Sequence, residues 1–140
     1  TGYYNQKYIA REGDSDIGDQ NLTNPNNYRS IRFADVLLMA AEAYSRGNLG
    51  DETARAYLNR VRNRAGLGDV NSAGTSLTDA IFQERRVELV GEGHRFFDLV
   101  RTGRAAREID GFVPGKHELF PIPLEEIVLA GNRWDQNPNY

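Results

Sequence analysis

The chain has 140 residues, 39% of them hydrophobic and 26% charged, with a formal net charge of −3 and no cysteine. That length and balance suit one globular domain with a real apolar core, and the missing cysteines exclude disulfides, thiolate metal sites and a cysteine nucleophile. Twenty acids against seventeen bases leave no basic field to recruit nucleic acid, and the longest apolar run, Val36 to Ala41, is far too short to cross a bilayer.

Three zones differ in composition. Residues 1–30 are polar and irregular, rich in Tyr, Asn, Asp and Gly, and read as loop with one short strand around Tyr3 to Ile9. Residues 31–109 carry helical periodicity, and residues 110–140 form a Pro/Gly-rich tail with one short helix. The first helix is set by Phe33, Val36, Leu37, Ala40, Ala41 and Tyr44, an apolar stripe at helical spacing. Gly47-Asn48 ends it, since both residues tolerate left-handed backbone. The second helix opens at Asp51 as N-cap, with Glu52 in its first turn. It presents Ala54, Tyr57, Leu58, Val61 and Ala65, and stops at Gly66. A short connection between two such stripes predicts an antiparallel hairpin.

A third helix follows a Gly/Ser/Thr loop, with Ser76 and Asp79 spaced as a capping box. It carries Ile81, Phe82, Val87, Leu89 and Val90 to the break at Gly91-Glu92-Gly93. A fourth bears Phe96, Phe97 and Val100 and is expected to continue past Gly103 through Ala105 and Ala106. Near the end, Pro123 fits a first helical position, with Glu125 and Glu126 in the opening turn, giving a short helix to about Ala130. The fold class is therefore mostly α: a tetratricopeptide-like helix hairpin, a second hairpin packed on it, and long irregular ends. One such repeat cannot bury its own apolar face, so the chain reads as a single small domain or as a fragment of a longer protein.

Several residues invite a chemical reading. Glu84 and Glu88 share one helix face at i, i+4. Two glycosidase carboxyls must flank a sugar from opposite sides of a cleft, which neighbours on one helix do not. With Arg85, Arg86 and Arg95 nearby, an ionic network between helices is the stronger reading, and no catalytic residue is assigned. His94, with Glu92 and Asp98, supplies too few ligands for a metal shell, and His117 lies far off in the tail. The acidic stretch at Asp14, Asp16 and Asp19 lacks the sixth-position Gly and twelfth-position Glu of an EF-hand. Arg60, Arg62 and Arg64 crowd the end of the second helix, where positive charge suits the helix dipole, and read as an ion-paired face. No cofactor or metal is expected. For a sugar ligand, the weak candidates are Tyr3, Tyr4 and Tyr8, set among Asn, Gln and Lys, and Trp134 near Asn132 and Asn137. A flat ring can cover the apolar face of a pyranose while polar neighbours meet its hydroxyls. Docking of the chain ends onto the helices is the favoured reading of the same aromatics.

In order along the chain, five segments together resemble the SusD/RagB family. They are the helix Ile31 to Ala43, the helix Tyr57 to Leu67, the run Glu84 to Leu89 leading into Gly91-Glu92-Gly93-His94-Arg95 and Phe97 to Gly103, the segment Leu119-Phe120-Pro121-Ile122-Pro123 before Glu126-Ile127, and the closing Gln136-Asn137-Pro138-Asn139-Tyr140. The resemblance covers nearly everything from Tyr28 onward. It implies the C-terminal part of a surface-exposed outer-membrane lipoprotein that binds an oligosaccharide or other nutrient. Such a protein acts beside a SusC-like TonB-dependent transporter and is held to the membrane by a lipid anchor, here expected to lie outside this chain. A helical-repeat scaffold for protein partners, without direct glycan binding, is the alternative.

Overall fold

The computed structural model describes Gly2, residues 5–9 and residues 27–140. Among these lie six helices and no strand, which bears out the mostly α reading. The chain divides into two compact units, Thr1–His94 and Arg95–Tyr140.

The first unit holds α1 (Phe33–Arg46), α2 (Asp51–Arg64) and α3 (Gly74–Glu88). Each packs against the other two. Leu37, Leu38 and Ala41 of α1 meet Ala54, Leu58 and Val61 of α2 and Leu77 and Ile81 of α3 in one core. Ala41 and Ala54 are fully buried, small enough to let α1 and α2 approach closely. Burying leucines such as Leu38 and Leu58 stabilises by about 1.5–3 kcal/mol apiece.

The stripe read for α1 rotates in the structure: Phe33 and Val36 remain 60% and 43% exposed. The helix is apolar on more than one side, and the arc taken by α2 and α3 is the one bearing Leu37, Leu38, Ala41 and Ser45. Val87 and Val90 of the third segment are likewise exposed, whereas Leu77, Ile81, Phe82 and Leu89 are buried.

Helix ends depart from the sequence reading where distant groups decide them. Asp51 is the first residue of α2 and not its cap, which is Gly50. The Asp51 carboxylate instead accepts the Gly74 N–H at 2.7 Å, fixing the start of α3 from another helix. With α3 beginning at Gly74, Ser76 falls inside the first turn, and the cap, Ala73, makes no side-chain hydrogen bond. The expected capping box is therefore not formed. Gly66 behaves as read. Its φ of 75° lets its own N–H reach Asn63 O and the Leu67 N–H reach Arg62 O, a Schellman stop for α2.

The loop from α2 to α3 is stitched down by one face of α2. Arg55 donates to Ser72 O at 3.2 Å, Asn59 both donates to Val70 O and accepts its N–H, and Arg62 donates to Gly68 O. Residues 55, 59 and 62 lie at helical spacing, so one row of side chains satisfies an otherwise irregular backbone.

The second unit contains α4 (Arg95–Arg101), α5 (Ala105–Glu108) and α6 (Leu124–Leu129). The expected continuation past Gly103 does not occur. Gly103 adopts φ 68°, and the Arg104 N–H turns back to Leu99 O at 2.8 Å, which closes α4 before α5 begins. Pro123 is the N-cap of α6, one residue before the position read for it. Leu99 and Ala105 are the buried apolar residues of this unit among those described.

Candidate functional site

Residues 5–9, read as strand, form a turn at Lys7-Tyr8. The Asn5 carboxamide oxygen accepts the Lys7 N–H at 3.0 Å, a local bond that competes with strand pairing. The turn sets Lys7 and Tyr8 against the C-terminal end of α3. The Lys7 ammonium donates to Glu88 O at 2.6 Å and pairs with the Glu92 carboxylate. Gly91 lies so close to Asn5 that a Cβ at this position would strike the Asn5 side-chain amide.

Arg32, just before α1, completes the node. Its Nε and Nη2 bind the two Glu92 oxygens at 2.7 and 2.9 Å, Nη2 also donates to Glu88 O, and Nη1 pairs with the Glu88 carboxylate at 2.8 Å. All three guanidinium nitrogens are engaged, a geometry that lysine cannot reproduce. Glu92 is only 3% exposed. Burial opposes its ionisation, but the hydrogen bonds from Arg32 and Lys7 outweigh that and hold its carboxyl below the usual range. In return, the hydrogen bond to Glu92, ahead of the opposing effect of burial, raises Arg32 above its already high value.

The other acids weighed in the sequence are committed in the same way. Glu84 pairs with Arg62 at 2.7 Å, and Glu88 also takes Arg64 at 2.5 Å. Arg85 reaches Asp35 of α1 at 2.7 Å, with both side chains 5% exposed. Arg60 lies over the Phe33 ring at 5.0 Å. The arginine-rich end of α2 is thus spent on carboxylates, carbonyls and one aromatic ring. In the second unit Asp98 pairs with Arg101 at 2.7 Å, and Glu108 takes Arg107 and Arg95. The hydrogen bond from Arg107 leads in holding the Glu108 carboxyl low. His117 accepts the Val113 N–H through Nδ1 at 3.0 Å and meets Phe112 edge-on. Among the described residues, no group of three or more His, Cys, Asp or Glu is placed to hold a metal ion.

Of the aromatic candidates, Tyr3 and Tyr4 lie outside the described residues, as do Asp14, Asp16 and Asp19. Tyr8 is half-buried and stacks on Tyr28, with ring centroids 6.2 Å apart and planes inclined by 22°. Tyr28 is 67% exposed, and its hydroxyl lies 3.4 Å from Glu92 O as a donor. Sequence reasoning passed over Tyr28, although its neighbours Asn26, Asn27 and Arg29 give it the same aromatic-among-polar setting that singled out Tyr8. A hollow of about 350 Å³ opens nearby among Lys7, Arg29, Arg32, Arg64, Glu88 and Glu92.

Trp134 is 55% exposed. The tail is fastened by its neighbours instead. Gln136 both accepts the Ile122 N–H (2.7 Å) and donates to Ile122 O (2.8 Å). Asn137 donates to Phe120 O, Asn139 to Gly115 O, and the Tyr140 hydroxyl to Leu119 O. A second hollow of about 340 Å³ is lined here by Phe96, Phe112, His117, Phe120 and Tyr140.

Comparison with known proteins places these features. The family model described as the SusD family matches residues 1–140. A SusD-like protein of Formosa agariphila is 30% identical over 141 residues, covering 88% of this chain and 28% of the relative. Another from the same organism is 42% identical over 125 residues, covering 79% and 24%. The crystal structure of a SusD homolog from Bacteroides thetaiotaomicron superposes with a TM-score of 0.75 at 35% identity, over 82% of this chain and 26% of that one. The chain spans about a quarter of the length of the relatives it matches.

Proposed function

The chain belongs to the SusD family, and from that premise we propose that it is part of a non-catalytic glycan- or nutrient-binding component of an outer-membrane uptake system. In this reading the whole protein is held at the cell surface by a lipid anchor and delivers its ligand to a SusC-like TonB-dependent transporter. The family is one of binding proteins, generally for glycans and other nutrients, and its members are associated with the outer membrane. The observation that carries the proposal is the family match over the full 140 residues.

The chemistry of the unit supports capture over turnover. Glu84 and Glu88, the paired carboxyls best spaced to suggest hydrolysis, are held by Arg62, Arg32 and Arg64. Carboxylates engaged in this way on one helix are not placed to flank a sugar ring as a hydrolytic pair must.

The test is calorimetric titration of the full-length protein with a panel of oligosaccharides, with the sugars recovered and sized afterwards. Saturable binding and unaltered sugars are expected. Shortened sugars would overturn the non-catalytic claim. Retention of a barrel transporter with no affinity for any saccharide would favour the scaffold reading instead.

A further inference from the structure

The stacked pair Tyr8–Tyr28 combines features rarely left at a surface by chance. A large aromatic ring two-thirds exposed forgoes burial, yet this one is braced from several directions. Tyr8 stacks on it, its hydroxyl is tied to Glu92 O, and the residue before Tyr8 is pinned through Lys7 to Glu88 and Glu92. The acid receiving these contacts is buried and doubly bound by Arg32. Such support holds an exposed ring in a fixed attitude, so little conformational freedom is lost when a flat partner settles on it.

The surroundings supply the second half of a recognition surface. Along the chain, Arg29 follows Tyr28 and Lys7 precedes Tyr8, and both line the hollow of about 350 Å³. That volume falls within the range of small-molecule sites. The Arg29 guanidinium offers donors. An apolar plate near a hollow lined by charged side chains suits the two-sided chemistry of a pyranose, with its C–H face and its ring of hydroxyls.

We propose that Tyr28, braced by Tyr8, is a stacking platform for one pyranose ring of an oligosaccharide, and that the adjoining hollow with Arg29 receives hydroxyls of the same or the next sugar. This rests on the glycan-binding reading above and assigns a place to it.

The experiment uses the full-length protein and, as probe, the oligosaccharide bound best in the titration panel. Tyr28→Ala and Tyr28→Leu should each weaken binding by about tenfold or more, as truncation of a central aromatic anchor does. Tyr28→Phe should stay within about twofold of the native protein, because the plate survives loss of the hydroxyl. Arg29→Ala should give a smaller loss. Because Leu fills much of the same space without a flat face, equal affinity in the Leu and native proteins would overturn the stacking platform, as would native affinity in Tyr28→Ala. Failure of the native protein to bind any saccharide would instead overturn the glycan reading on which the site depends.

Discussion

The two units of this chain are held together by different physics. The first is organised around apolar side chains from three helices, with Leu38, Leu58, Leu77 and Ile81 fully buried. Its charges are built into that core: Asp35–Arg85 joins α1 to α3, and Arg62–Glu84 joins α2 to α3. In the second unit, buried apolar residues are few, and the long irregular path from 109 to 123 is held by polar side chains bonded to main-chain atoms. Gln136 is the clearest case, since its amide meets both the N–H and the C=O of Ile122 as a neighbouring strand would. A long segment can therefore be ordered without a sheet, provided that its backbone groups find side-chain partners.

That contrast can be broken at defined points. The largest effect is expected at the buried ion pair. Asp35→Ala removes a buried carboxylate partner of Arg85 and should cost about 3–5 kcal/mol. Replacing both members with apolar residues of similar volume should recover most of that loss in chemical denaturation, and a double variant as unstable as the single one would contradict this account. Leu58→Ala should cost about 2–5 kcal/mol through lost burial and the cavity left behind. By contrast, Leu129→Ala, at a side chain 80% exposed, should stay within about 0.5 kcal/mol.

The Glu92 node comes next, and its signature is dependence on pH. The folded state holds this carboxyl below its ordinary value of 4.5. Its contribution is therefore present above the unfolded value and is lost as pH falls through the folded one. Glu92→Gln should lower neutral-pH stability by about 1–3 kcal/mol and flatten the acid limb of a stability–pH profile. An unchanged acid limb would show that the node does not govern acid sensitivity. A smaller loss belongs to the tail clamp: Gln136→Ala should cost about 1–2 kcal/mol. It should appear as faster amide exchange at Ile122 with little change in α1 to α3, and a global loss of protection would erase the distinction between the units.

Much of the first unit was legible from spacing. The apolar face of α2 at Ala54, Leu58 and Val61 and the stop at Gly66 are local patterns of period and turn chemistry, and they hold in the structure, whereas the stripe read for α1 is rotated. The same reasoning failed where a distant residue decides. Nothing around Ser76 shows that Asp51, 23 positions before Gly74, binds the Gly74 N–H and starts α3 early. That arginines would pair with acids followed from composition, but Asp35 and Arg85 stand 50 residues apart, and no local pattern joins them. The tail clamp was illegible for another reason: hydrogen bonds to irregular backbone have no period. The candidate site shares that difficulty, since Tyr8 was chosen for its neighbours while Tyr28, its stacking partner, is far along the chain.

The Asp35–Arg85 bond also bears on how the first unit can move. Packed helices can shift past one another by about 1–2 Å and, more drastically, by a whole turn of about 5.4 Å. Here such a slip would pull two charges apart inside the core, with no water to receive them. The bond works as a dowel through the joint between α1 and α3. Because separating the pair costs several kcal/mol, α1 and α3 are expected to shift together and not past one another.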